Sequence, residues 1–445
     1  MPQSPARLDT VVVVGGSVAG LLAAAAASPS ADRVVVLDRD QMPSGPEPRP
    51  GTPQARHSHG LLAGGRLAVE TLLPGFTAQM IEAGALSGAD TGRSGRWWVG
   101  GDLIAGCDLG AEGLAASRPL IEHMMRERIR DLPNVELLGE VDVTGLCADG
   151  GRVTGVHTRA RNGDDAPRLF AADLVVDASG RSGRAARWLP AVGASAPAEE
   201  RINVGVRYVT THVKILDADL VGWGLVVSGA TPTVPRGGIA IMQEDLTWSL
   251  TLFGYGDEPI PVDPDGMRRF AAGLVGPELA TLLADREPLG VPLTYRFPDA
   301  RRRRFELLAD LPLGYAPVGD AICSLDPTFG QGMSVAALEA AALAEELAGG
   351  LAAVRDAYPR RAARIVDGAW TLVQGTVSRL PGAEGDVRRG DTPVGRYVRR
   401  LQRVAARDPE VARAFLRVTN LLAPPASLLA PAVARRVLRP GAARA

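Results

Sequence analysis

Two stretches of this chain set glycines beside a carboxylate at spacings that suit a phosphate and a sugar. In the first, Val11 to Val14 run into Gly15-Gly16-Ser17-Val18-Ala19-Gly20, and a second valine-rich run ends on Asp38-Arg39. In the second, Gly319-Asp320 precedes Pro327-Thr328-Phe329-Gly330-Gln331-Gly332-Met333. Strand, tight turn, helix, strand and acid in that order begin a dinucleotide-binding βαβ unit. Gly15 lets the chain turn sharply off its strand, and Gly20 lets the helix pack close to the sheet. The N–H groups at the helix start, with the positive end of its dipole, can receive a pyrophosphate. Asp38, eighteen residues past Gly20, can accept hydrogen bonds from ribose hydroxyls. Ser17 replaces the usual middle glycine, so the motif reads G-x-S-x-x-G.

Other reactive residue types are sparse. His57 and His59 alternate in Gln54-Ala55-Arg56-His57-Ser58-His59, so an extended segment would put both on one face. No Cys or acidic cluster supplies further ligands, and no metal site is expected. Packing in a loop or hydrogen bonding beside a cofactor is the role expected of them. Cys107, Cys147 and Cys323 are odd in number and lack metal-ligand spacing, which suits a reducing cytoplasm. Lys214 is the only lysine. Neither a Ser/His/Asp arrangement nor a paired-carboxylate signature stands out.

The elements that must position these residues alternate between two patterns. At 445 residues the chain is long enough for two or three domains. Its 49 basic and 50 acidic residues nearly cancel, so no global field favours nucleic acid. No signal peptide and no uninterrupted bilayer-spanning stretch is read, so a cytoplasmic protein with no membrane contact is expected. Ser117-Arg118-Pro119-Leu120 opens a helix to about Arg130, with Pro119 suited to its first turn. Asp173 to Gly180 reads as a buried strand entering a turn. Residues 203–252 hold several β-rich runs separated by Gly and Pro. Arg301 to Arg304 reads as solvated surface. The prolines around 421–429 favour packing onto the body of the protein over a membrane-surface helix.

Three separated motifs together resemble the flavoprotein monooxygenases of the p-hydroxybenzoate hydroxylase type. They are Gly15 to Asp38, Asp173 to Gly183, and Gly319-Asp320 with Pro327-x-x-Gly330-Gln331-Gly332. A closer likeness is to the bacterial polyether (lasalocid-type) flavin epoxidases. It rests on Gln54 to His59, Ser117-Arg118-x-Leu120 and Cys323-Ser324-Leu325-Asp326-Pro327. The resemblance covers roughly residues 8–350 and implies an α/β fold: a Rossmann-like FAD-binding domain, an inserted antiparallel β-sheet substrate domain and a helical C-terminal region. The FAD domain would take residues 8–92, 113–190 and 301–350. The substrate domain would take 93–112 and 191–300, and the helical region 351–445.

The resemblance also implies site roles. FAD would be held by Gly15, Gly16, Ser17, Ala19 and Gly20 at the first turn, with Asp38 and Arg39 at the adenosine ribose. Gln54, Arg118 and Asp177 would contact it from neighbouring elements. Gly319 would lie at the pyrophosphate and Asp320 would accept from a ribityl hydroxyl. Pro327, Gly330, Gln331, Gly332 and Met333 would face the flavin, where a helix N-terminus stabilises negative charge on the reduced ring. A flavin C4a-hydroperoxide would carry the chemistry, so no protein residue is named as catalytic. Trp98, Val204, Val206, Trp248 and Phe253 are the expected substrate wall, mostly apolar.

That wall favours epoxidation of a polyketide or terpenoid alkene, since an alkene needs no general base. Electrons would come from NAD(P)H or a separate flavin reductase, with O2 as co-substrate. Hydroxylation of an aromatic polyketide or reduction of an isoprenoid alkene would use the same FAD motifs. A non-enzymatic FAD-binding role stays open. Halogenation would need a lysine, and the Trp-x-Trp-x-Ile-Pro pattern of halogenases is absent.

Overall fold

The run Val11–Val14 has no alternation because both of its faces are covered. The computed structural model describes residues 7–86, 90–161, 167–284, 286–386 and 392–439. Among them, Leu8–Val14 is the middle strand of a five-stranded parallel sheet, flanked by Leu174–Asp177 and Ala31–Leu37. Tyr315–Pro317 and Val135–Leu138 form its edges. Val11, Val12 and Val13 are fully buried, as continuous apolar strands of parallel sheets are. Helix Val18–Ala27 packs against both Gly332–Leu347 and Arg118–Arg130. Ser117 caps the last of these by accepting from the Leu120 N–H, and Pro119 sits in its first turn. A three-stranded antiparallel sheet, Val141–Asp149, Arg152–Ala160 and Arg168–Ala171, packs on Leu174–Asp177.

A larger sheet is inserted between segments of the first. Its long strands are Leu293–Arg303, Glu199–Lys214, Thr247–Gly254 and Arg236–Met242, followed by Leu225–Ser228 and Gly95–Val99. It is antiparallel except that Leu225–Ser228 runs parallel to Gly95–Val99. That exception follows from connectivity, since the chain passes through the parallel sheet between those two strands. Both faces of the large sheet are occupied. One packs Val209, Val213, Trp248, Leu250 and Leu252 against helices Pro264–Ala272 and Glu278–Ala284. The other walls a cavity.

The C-terminal helices close the far side. Tyr358–Val377 packs on Gly332–Leu347. Pro393–Ala405, Pro409–Thr419 and Pro431–Leu438 share an apolar cluster with Ile104 and Leu109. Leu428 is buried in that cluster. Among the described residues no helix is long and apolar enough to cross a membrane.

The arginine run departs from its expected solvated state. Arg302 and Arg303 are 1% and 2% exposed. Arg302 pairs with Asp367 at 2.6 Å. Arg303 donates to the carbonyls of Asp320, Ala321 and Arg181 at 3.1–3.2 Å. Partners this distant in sequence turn a charge run into interior structure.

Candidate active site

The glycine turn is required by its surroundings. Gly15 has φ +108°, and a Cβ there would stand 2.4 Å from the Ala178 carbonyl oxygen. On Gly20 a Cβ would lie 1.7 Å from the Gly15 carbonyl oxygen, so the helix could not pack. The Gly16 N–H donates to Asp38 Oδ2 at 2.6 Å, and the Asp40 N–H to Asp38 Oδ1 at 2.8 Å. Arg49 adds a third donor to Asp38, at 3.0 Å.

Beside this turn lies a buried charge network. Glu122 accepts from Arg49 Nε at 2.7 Å and from the Ser17 hydroxyl at 2.9 Å, and Arg118 stands 3.4 Å away. Arg118 also donates to Ser17 Oγ at 2.8 Å. Burial pushes the Glu122 carboxyl up, but Arg118, Arg49 and the Ser17 hydroxyl outweigh it and leave it below its ordinary value. Arg49 is held above its ordinary value: Glu122 and Asp38 overcome the cost of its burial.

One cavity of about 1320 Å³ runs from this turn to the large sheet. Gly15, Ser17, Ala19, Asp38, Arg39, Gln54 and Arg118 line its first part. Asp320, Pro327, Gly330, Gln331, Gly332 and Met333 line its middle. The remaining expected cofactor residues stand behind the wall as supports. Gly16 anchors Asp38, and Gly20 permits the helix contact. The Gly319 N–H bonds the buried Glu339 carboxyl. Asp177 is fully buried, accepting from the Tyr315 hydroxyl at 2.7 Å and the Ser179 N–H at 3.0 Å. It therefore shapes the Ala178–Gly180 turn, which does line the cavity.

The expected substrate wall divides between the cavity and the two flanking cores. Phe253 lines the cavity, joined by Trp97, Trp223, Ile239, Ile241 and Phe297. Trp98 lies on the opposite face, its Nε1 donating to Glu278 at 2.8 Å. Trp248 is also on that face, donating to Asp219. Val204 and Val206 are buried in the central core and absent from the wall. Four of the five are thus placed away from the cavity: Trp98 and Trp248 because successive strand residues point to opposite faces, and Val206 because, although paired with the wall residue Phe297, it is covered by the central core.

Two polar clusters stand in the wall, one around Asp326 and Tyr255 that was not singled out from sequence, the other around His57, which was. Asp326, fully buried, accepts from Tyr255 at 2.9 Å and from the Thr328 hydroxyl and N–H at 2.8 and 2.9 Å. Burial raises its carboxyl, partly offset by those donors. His57 Nδ1 lies 2.8 Å from the Thr210 hydroxyl, which continues to Thr251 at 2.6 Å and Ser58 at 2.8 Å. Its ring packs edge-on to Tyr208 and Tyr295. Burial, then the nearby His212, push His57 down to about 4; burial, then Arg118, push His59 to about 3. Both histidines line the cavity, and both are neutral at physiological pH. The period-two spacing of His57 and His59 was a usable signal, whereas Tyr255 and Asp326 meet only through the fold.

The wall accepts an extended dinucleotide. It offers a helix N-terminus at Ser17, the cations Arg49 and Arg118, and the glycine cradle. Ser179 Oγ, Gln331 Oε1 and Asn420 Oδ1 belong to wall residues and are buried without hydrogen-bond partners, as atoms awaiting a ligand would be.

This architecture is the fold of FAD-dependent monooxygenases. The flavin-dependent brominase Bmp2, as a triple mutant, matches with TM-score 0.66 and 18% identity, over 95% of this chain and 97% of that one. The p-nitrophenol 4-monooxygenase PnpA from Pseudomonas putida DLL-E4 matches with TM-score 0.65 and 20% identity, over 93% and 99%. Protein Rv3254 of Mycobacterium tuberculosis is 34% identical over 426 residues, 93% of this chain and 90% of its own length. The chain belongs to the same family as that protein. No family model matches it.

Proposed function

We propose that this protein is an FAD-dependent monooxygenase that adds one oxygen atom from O2 to an apolar small molecule, with epoxidation of a polyketide or terpenoid alkene the favoured reaction. The carrying observation is the continuous cavity from the glycine turn, past Gly330–Met333, to an aromatic face of the large sheet. Arg118 and Arg49 would neutralise the pyrophosphate, Asp38 would accept from the ribose, and Asp320 from the ribityl chain. The start of helix Gly332–Leu347 would face the flavin and stabilise negative charge there. The chemistry a flavin supplies in such a site is reductive activation of O2. Trp97, Phe253 and Phe297 would exclude water and hold the reacting carbon in reach. Electrons would come from NAD(P)H or a separate flavin reductase.

One observation favours hydroxylation of an aromatic polyketide as a second reading. Tyr255–Asp326–Thr328 and His57–Thr210–Thr251 bring proton-accepting groups to the cavity wall. A phenol would gain from such groups and an alkene would not. Bromination finds no support on this chain, because Lys214 is exposed and outside the cavity wall.

The test is NAD(P)H- or reductase-driven turnover of the FAD-loaded protein on polyenes and phenols under ¹⁸O-labelled O2. One labelled atom in an epoxide supports the favoured reaction, and labelling of phenols alone supports the second. Product formed without O2 uptake would overturn both in favour of alkene reduction.

A further inference from the structure

One row of side chains crosses the large sheet on its cavity side and changes character on the way. Thr210 is paired with Thr251, Thr251 with Ile239, Ile239 with Val227, and Val227 with Trp97. Thr251, Ile239, Val227 and Trp97 line the cavity and span three strand spacings, about 14 Å. The row is hydroxylic at one end and apolar at the other. His57, which follows the single helical turn Pro53–Arg56, is bonded to the hydroxylic end.

A ladder of hydroxyls fixes how His57 can be used. The Ser249 carbonyl can only accept, and the Ser58 hydroxyl lies 3.0 Å from it. With Ser58 donating there, Thr251 donates to Ser58 at 2.8 Å, Thr210 to Thr251 at 2.6 Å, and His57 Nδ1–H to Thr210 at 2.8 Å. In that direction each of these hydrogens has an acceptor, and the imidazole presents Nε2 as a bare acceptor. His57 is only 6% exposed, yet its Nε2 has no hydrogen-bond partner among the described residues. Its ring is held edge-on by Tyr208 and Tyr295, with centroids 4.7 and 5.7 Å away, and all three rings line the cavity. The ladder ends on a carbonyl and leads no proton away. Burial, then His212, lower His57 to about 4, so the ring is an uncharged acceptor at neutral pH.

We infer that the substrate carries a hydroxyl group that donates to His57 Nε2, with its apolar body laid across Ile239, Val227 and Trp97. This rests on the monooxygenase reading for the reaction and adds the functional group by which the substrate is chosen. An analogue without the hydroxyl would bury Nε2 unpaired, which is how a polar site rejects an apolar competitor. His57 is thereby a binding residue, and Thr210 positions it.

Equilibrium dialysis of the FAD-loaded protein at pH 7 against 2-naphthol and farnesol, each beside its methyl ether, tests this. The ethers keep the skeleton and the oxygen and lose the donor. At least one alcohol should bind about tenfold or more tightly than its ether. His57→Phe should abolish that preference, and Thr210→Val, which frees the ring to change tautomer, should shrink it. Equal binding of alcohols and ethers, binding of neither scaffold, or a preference that survives His57→Phe would overturn the inference. Circular dichroism and bound FAD are read on the same samples. Should His57→Phe lose its fold or its FAD, an undiminished preference in Thr210→Val overturns the inference instead. Preferential binding of an alcohol that yields no ¹⁸O-labelled product would fell the oxygenation reading and leave this one standing. Labelled product formed from ethers as readily as from alcohols would do the reverse.

Discussion

At the scale of single residues, Glu122 carries an unusual burden. It is 3% exposed and neutralises Arg49 and Arg118 at the place where a pyrophosphate would sit. Removing one member of a buried ion pair commonly costs about 3–5 kcal/mol, because the partner is left uncompensated. Glu122→Gln should therefore lower the melting temperature of the apo-protein. A bound pyrophosphate would restore the lost negative charge, so added FAD should raise the melting temperature more in the variant than in the parent. An equal or smaller rise would show that Arg118 does not meet the phosphate. His57 gives a pH dependence of known sign. Its folded value of about 4 lies below the unfolded value of about 6.5, so the unfolded chain binds the proton first. Its contribution is complete above pH 6.5 and is lost as pH falls toward 4. Relative to Gln at this position, the difference amounts to at most about 3 kcal/mol. Denaturation of parent and His57→Gln proteins across pH 4–7 should show the steeper loss in the parent.

At the scale of elements, the turn after Gly319 is held by a device that local sequence conceals. Arg303 ties together the carbonyls of Asp320, Ala321 and Arg181, and Gly183 makes room for it. A Cβ on Gly183 would stand 2.1 Å from the Arg303 guanidinium carbon, at a φ of +46° that L side chains rarely adopt. Gly183→Ala should destabilise the protein by about 3 kcal/mol or more, and weaken FAD retention with it. A variant with parental melting temperature and FAD content would rule this support out. The same pair shows what the sequence could and could not disclose. The βαβ unit was legible because its parts are local: turn, helix and acid lie within 24 residues of one another. Arg302 and Arg303 were not, since their partners Asp367, Asp320 and Arg181 are brought in by other elements. The strands of the large sheet could be seen as β-rich runs, and in Thr247–Gly254 the alternation of Thr247, Ser249 and Thr251 with Trp248, Leu250 and Leu252 carried the phase. What it did not disclose is which face meets the cavity. Trp248, Leu250 and Leu252 pack on helices, while Thr251 and Phe253 line the cavity, and only the tertiary fold sets those surroundings.

At the scale of the whole molecule, the cavity makes one unit of parts that are separate in sequence. Its wall draws on the parallel sheet, the large sheet and the C-terminal helices. Direct bonds reinforce this: Gln331 Nε2 donates to the Thr419 carbonyl, and the Gly64 N–H to the Asn420 carbonyl. The turn proposed to face the flavin is thereby fastened to the C-terminal helices. A ligand in this cavity cannot stabilise one region alone, because each wall would have to separate from it on unfolding. Saturation at a hundred times the dissociation constant adds about 2.7 kcal/mol to whatever unit unfolds with the ligand. Calorimetry with and without FAD should accordingly show the entire unfolding endotherm moving upward together. If one component shifted while another stayed at its apo temperature, the C-terminal helices or the large sheet would be an independent unit. That part of the cavity wall would then be free to move relative to the flavin, and its side chains would alter substrate affinity without setting where oxygen is delivered.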